Sequence, residues 1–273
     1  MITIPDYSDK GQLIDWLISN KTALIAQKKA MVKQADAISY NPYLITDKGE
    51  VVKADINAIP QESTKIKVRS IINTTKLFDS HGDVHIDQLW NKSLKETKDH
   101  YLVNQHDFSF EGIISDEVKA FAKQYTWAEL GYTFEGQTQA LVFDSVIDKA
   151  ESPDMFDRYA KGKVKNHSVG MRYVKVAMAV NDDRYKEEFA VWEKYIDQVA
   201  NLSDVMDAGY FFAVTEAKVI EGSAVVKGSN YATPTMSIES KTDAEPLKDT
   251  PVEPDNSTQL LEALKKLNQK IKI

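Results

Sequence analysis

The sequence predicts an α+β fold, a mostly antiparallel β-sheet or barrel core with surrounding helices, carrying helical extensions at both ends. Three observations point there. Runs of alternating β-branched and aromatic residues recur between residues 64 and 226, the period-2 signature of half-buried strands. The stretch before residue 40 and the stretch from Asn181 to Ala200 switch to a helical period. After Ile238 the chain turns polar and proline-rich before a last apolar stripe. Strand runs interrupted by single helices, with no regular β-α alternation, indicate a mixed sheet.

Taken in order, residues 1–40 read as an N-terminal amphipathic helix, running from about Lys10 to Ala37. Leu17, Leu24, Met31 and Ile38 recur every seven residues, flanked by the row Ile18, Ile25 and Val32. Together they make one broad stripe, which suits a helix docked on the domain or a helix offered to a partner. Residues 41–240 form the main domain. Thr64 to Ile72 alternates as a strand, and Phe78 to Val84 reads as a polar turn. Asp87 to Thr97 suits a short helix, followed by a strand from Tyr101 to Gln105. Ala140–Val146, Lys163–Val176 and Tyr210–Val226 are further strands. A helical insertion covers about 181–207, where Phe189, Trp192, Ile196 and Val199 fall on one face. Residues 241–257, with Pro246, Pro251 and Pro254, read as a disordered linker. Residues 258–273 form a C-terminal amphipathic helix through Leu260, Leu264, Leu267 and Ile271.

Composition narrows the function. The 273 residues are 42% hydrophobic and 27% charged, enough to bury a substantial core. A net charge of -7 argues against a dedicated nucleic-acid binder. The chain has no cysteine, which removes disulfides, a thiol nucleophile and cysteine-bound zinc. No secretory leader or membrane span is evident, so a cytoplasmic setting is expected. No phosphate-cradling loop or dinucleotide fingerprint is present, and no cofactor is expected.

Three distant segments carry the residue types of a serine-protease triad. Ser168 lies in a strand where Ser168, Gly170 and Arg172 share one face. Gly170 leaves room there for close approach. His167 faces the other way and reads as structural. His106 ends the apolar run Tyr101-Leu102-Val103 and has the ionisation suited to accepting a serine proton. Glu221 falls on the row Ala213, Thr215, Ala217, Val219, Ser223 and Val225. A carboxylate among small and apolar neighbours needs a partner, and an imidazole supplies one. A hydrogen-bonding role at a bulge near Gly222 would also account for it. Asp107 and Glu216 remain alternatives for the third member. A rival metal set would use His81, His85, His106 and Asp107, but the turn around Gly82 lacks the helical spacing that aligns two histidines.

In combination these segments resemble the prohead maturation proteases of tailed bacteriophages, relatives of the herpesvirus assemblin serine proteases. Asp79-Ser80-His81-Gly82-Asp83 is similar to the family's D-x-x-G-D turn, and His106-Asp107 to its HD pair. Ser168-Val169-Gly170-Met171 is similar to its S-x-G-hydrophobic strand. Glu221-Gly222-Ser223-Ala224-Val225, then Gly228-Ser229-Asn230, sits near its E-x-S-x-V and following turn. Each motif is short; their shared order over residues 64–238 gives the resemblance its specificity. It implies an assemblin-like fold with Ser168 as nucleophile, His106 as base and Glu221 as orienting carboxylate. It also implies cleavage of scaffold or major capsid protein, and of the protease itself, inside the immature prohead in the host cytoplasm. A homo-oligomer or a scaffold-associated form is expected. A non-catalytic capsid assembly or scaffold protein on a protease-like domain is the alternative.

Overall fold

The computed structural model describes residues 2–7, 9–33, 55–56 and 63–241. The proposed linker beyond Lys241 and the C-terminal helix lie outside the described residues. Two sheets form the domain. In the first, β1 (Val32–Lys33), β9 (Asn166–Val180), β10 (Tyr210–Val225), β5 (Leu102–Asn104) and β6 (Ile113–Ser115) lie in that order, and β4 (Asp83–His85) also pairs with β10. In the second the order is β2 (Asp55–Ile56), β11 (Thr235–Lys241), β3 (Lys65–Thr74), β8 (Gln137–Asp148) and β7 (Val118–Thr126).

Most pairings are antiparallel, while β10 runs parallel to β4 and β5, and β11 to β2. Among the described residues no sheet closes on itself, so the barrel arm of the expectation gives way to two open sheets. The reason lies in the core. Ile66, Val68, Ile72, Leu141 and Phe143 of the second sheet meet Met171, Tyr173, Val219 and Ala224 of the first in one buried cluster. Two one-sided apolar faces cover each other without any need for closure.

Helix α1 (Lys10–Ala30) starts at Asp9, whose carboxylate accepts the Gln12 N–H at 2.9 Å. Its Ile14, Leu17 and Leu24 are buried against Met178, Val180 and Phe212. Of the two readings of its stripe, docking on the sheet is the one observed. The helix stops seven residues before the expected end. Met31 is extended, and Val32 and Lys33 instead pair with Arg172 and Met171 on the edge of β9. The apolar repeat continues through Val32, but the open strand edge supplies the backbone partners there.

The insertion holds α4 (Lys186–Tyr195), a single 3-10 turn (Ile196–Gln198) and α5 (Leu202–Ala208), closed by Gly209 at φ 75°. Trp192 and Val199 gather with Phe211 as the stripe predicts. The short α2 (Asn91–Glu96), α3 (Pro153–Ala160) and a 3-10 turn at Phe110–Gly112 complete the described helices. No helix among the described residues is long and apolar enough to cross a membrane.

Candidate active site

The site grows out of the β9–β10 pair. Ser168 lies opposite Ser223, and Gly170 opposite Glu221. Directly opposed residues project to the same face, so these four share one side. The register slips once between Val219, opposite Met171, and Glu221, opposite Gly170. Ile220 is therefore an extra residue, a β-bulge that turns β10 over. The expected row of Glu221 with Val219 is thus corrected. Val219 faces the intersheet core with Met171, whereas Glu221 faces away from it, toward the Ser168 side. The bulge is at Ile220, not at Gly222.

Glu221 is fully buried all the same, because the loop after β5 folds over it. His106 Nδ1 lies 2.6 Å from Glu221 Oε1, with the imidazole only 8% exposed. When Glu221 is ionised it can only accept, so Nδ1 then carries the proton and Nε2 is left as the accepting nitrogen of the ring. Burial pushes the Glu221 carboxyl above its ordinary range; the His106 ring and the Gly170 amide offset part of that rise. Gly170 is required by space: a Cβ there would overlap Glu221 Oε1.

The loop is held in an uncommon backbone conformation. Gln105 and His106 both have positive φ, at 50° and 60°, a region most residues avoid. Three hydrogen bonds stabilise it: Gln105 N–H to Ala224 O (3.0 Å), Asp107 N–H to Asn104 O (2.9 Å), and His106 N–H to Ser223 Oγ (2.8 Å). The same Ser223 hydroxyl donates to Val103 O at 3.2 Å. Ser223, which faces Ser168, thus fastens the histidine loop to β10.

Ser168 itself is 7% exposed. The Gly228–Asn230 turn passes next to it; a Cβ on Gly228 would come within 3.7 Å of Ser168 Cβ. Asn230 fixes that turn, its amide donating to Asn73 Oδ1 (2.7 Å) and Thr74 O (2.9 Å). A small cavity beyond Ser168 is lined by Asn73, Asn230, Asp79, His85 and Tyr173.

The remaining candidates are engaged elsewhere. Asp107 is turned outward and accepts the Ser109 N–H at 2.9 Å, which lowers its carboxyl. Glu216 pairs with Lys175 at 2.6 Å and Lys92 at 3.6 Å. His167 is fully buried on the opposite face, with Nε2 2.9 Å from the Tyr159 hydroxyl, and burial pulls it down to about 4. Among the rival metal residues, His85 Nε2 meets Tyr173 OH at 2.9 Å, and His106 and Asp107 are held as described. The ligand atoms of Asp79, His81 and Asp83 do converge within 4.8 Å. That position already holds a cation, since Lys28 Nζ bonds both Asp83 and the His81 carbonyl, while Tyr173 OH donates to Asp83 Oδ2 at 2.8 Å.

The structure therefore joins His106 to Glu221 and sets Ser168 on the adjoining strand, with Ser223 between them. The roles of Ser223 and Asn230 were not read from the sequence, though both lie in the quoted motifs. Small polar residues in apolar strands were the available signal.

These features define an α+β protein of two largely antiparallel sheets with a buried histidine–glutamate pair beside a strand serine. No family model matches the chain, and neither the curated proteins nor the solved structures gave a significant match.

Proposed function

We propose that this protein is a serine endopeptidase that cleaves scaffold or capsid-protein extensions, and itself, during prohead maturation of a tailed bacteriophage. The observation that carries the reading is the 2.6 Å contact of His106 Nδ1 with the buried Glu221 on the face shared with Ser168. A base that becomes positively charged during reaction needs a carboxylate at its far nitrogen, the place Glu221 takes beside His106. The phage setting rests on the order of the four sequence motifs.

In this mechanism His106 Nε2 takes the Ser168 Oγ proton as Oγ adds to the scissile carbonyl carbon. The tetrahedral intermediate collapses, the C–N bond breaks, and the imidazolium gives its proton to the departing amine. A water, deprotonated by the same nitrogen, then adds to the acyl carbon; the C–Oγ bond breaks and the imidazolium returns its proton to Ser168 Oγ. Glu221 keeps Nδ1 protonated and stabilises the imidazolium, and no cofactor is called on. General acid–base help of this kind contributes about 10²- to 10⁴-fold.

The test is co-expression with the neighbouring capsid and scaffold proteins. Ser168→Ala is expected to leave them at full length, with an unchanged circular dichroism spectrum. Normal processing by that variant would overturn the assignment.

A further inference from the structure

A groove opens beside the histidine loop. Gln105 of that loop, Met155 and Arg158 of α3, the segment 163–166, and the end of β10 from Ala224 to Val226 line it. Its most buried lining residues, Met155, Ala224 and Val225, give it an apolar floor, and Val226 beside them is exposed. Asn166 Nδ2 donates to the Val226 carbonyl at 3.0 Å, which holds the two walls at one spacing. The rim is cationic. Arg158, Lys163 and Lys165 are all exposed, and among the described residues no carboxylate lines the groove.

Charge decides what fits. The whole chain carries -7, so three cations around an apolar floor run against the average of the surface. Elsewhere lysines and arginines are commonly engaged, as Lys21 is with Glu188 and Arg69 with Asp144. None of the three rim cations forms an ion pair with the described residues. Lys161, close by in sequence, does, with Asp157 at 2.7 Å. An apolar floor with positive edges suits an extended polypeptide whose acidic side chains alternate with small apolar ones. Nucleic acid is the poorer fit, because among the described residues no aromatic side chain lines the groove to stack a base.

We propose that this groove binds an acidic segment of the polypeptide substrate, so that cleavage sites lie beside clusters of Asp and Glu. The inference rests on reading Ser168, His106 and Glu221 as a protease site, since the groove adjoins that loop.

Binding and cutting can be separated. Full-length Ser168→Ala protein is titrated by fluorescence anisotropy with three probes: a labelled peptide of alternating Glu and Val, the same peptide with Gln for Glu, and a single-stranded DNA of equal charge. The acidic peptide is expected to bind about ten-fold or more tightly than its Gln counterpart, and more tightly than the DNA. Its affinity is expected to fall with added salt. Arg158→Glu, Lys163→Glu and Lys165→Glu together are expected to weaken the acidic peptide about ten-fold or more and to spare the Gln peptide. Lys165→Glu alone, an exposed single change, is expected to give a smaller loss in the same direction. Equal binding of the two peptides, no binding, preference for the DNA, or indifference to the charge reversals would each overturn the proposal. Processing that survives Ser168→Ala would instead overturn the protease reading and leave the binding result standing.

Discussion

Glu221 concentrates the chemistry of the site in one side chain. It is fully buried, and burial raises its carboxyl above the ordinary range, so the fold favours the neutral form while the His106 contact favours the charged one. Glu221→Gln keeps an oxygen to accept the Nδ1 proton but removes the charge. The expected outcome is a kcat lower by about 10²- to 10⁴-fold with KM nearly unchanged. Thermal stability at neutral pH is expected to hold or rise, because a buried charge has been replaced by a neutral group. Retention of kcat within a few-fold, measured on a processed substrate, would show that the carboxylate only fills space. The residues of the proposed triad were legible by type and order; the pairing that joins Glu221 to His106 was not. Val219-Ile220-Glu221 looks like uninterrupted strand, and alternation alone places Glu221 beside Val219. Only the pairing with β9 reveals Ile220 as the extra residue. Asp107 drops out for an equally local reason, its bond to Ser109.

At the scale of elements, β3, β5, β8, β9 and β10 were read as strands because alternation reports one-sided burial directly, whereas β7 and β11 were missed. Helix ends were read less well, and the end of α1 shows why. Met31 and Val32 continue an apolar repeat, yet the free edge of β9 captures Val32 and Lys33 as strand, a tertiary effect outside any local pattern. The junction of α3 with β9 carries a measurable consequence. His167 on β9 meets Tyr159 on α3, both buried, with the imidazole pulled from 6.5 to about 4. Between those values the unfolded chain binds the proton and the folded one does not. Stability is therefore lost as pH falls from 6.5 toward 4, and above 6.5 this group exerts no pH dependence. At about 1.4 kcal/mol per pH unit, the loss is on the order of 3 kcal/mol. Urea unfolding across this range is expected to show the decline, and His167→Gln is expected to flatten it. An equally steep decline in the variant would assign it to other groups.

Over the whole molecule, the two sheets do different work. The second supplies the far wall of the core, while the β9–β10 pair carries Ser168, Gly170, Glu221 and Ser223 on its outer face. The sequence announced the mixed α+β class through its strand runs and isolated helices. It did not decide between a barrel and open sheets, since closure depends on which edges pair and not on alternation. The apolar stripe of α1 likewise left docking and partner binding equally open until Leu17 and Leu24 were found against Met178 and Phe212. The central claim is that this surface activates one particular serine. Labelling with a fluorophosphonate followed by peptide mapping tests it most directly. The adduct is expected on Ser168 alone, lost in Ser168→Ala and strongly slowed in His106→Ala. An adduct on another serine, or one on Ser168 that forms just as fast without His106, would contradict it.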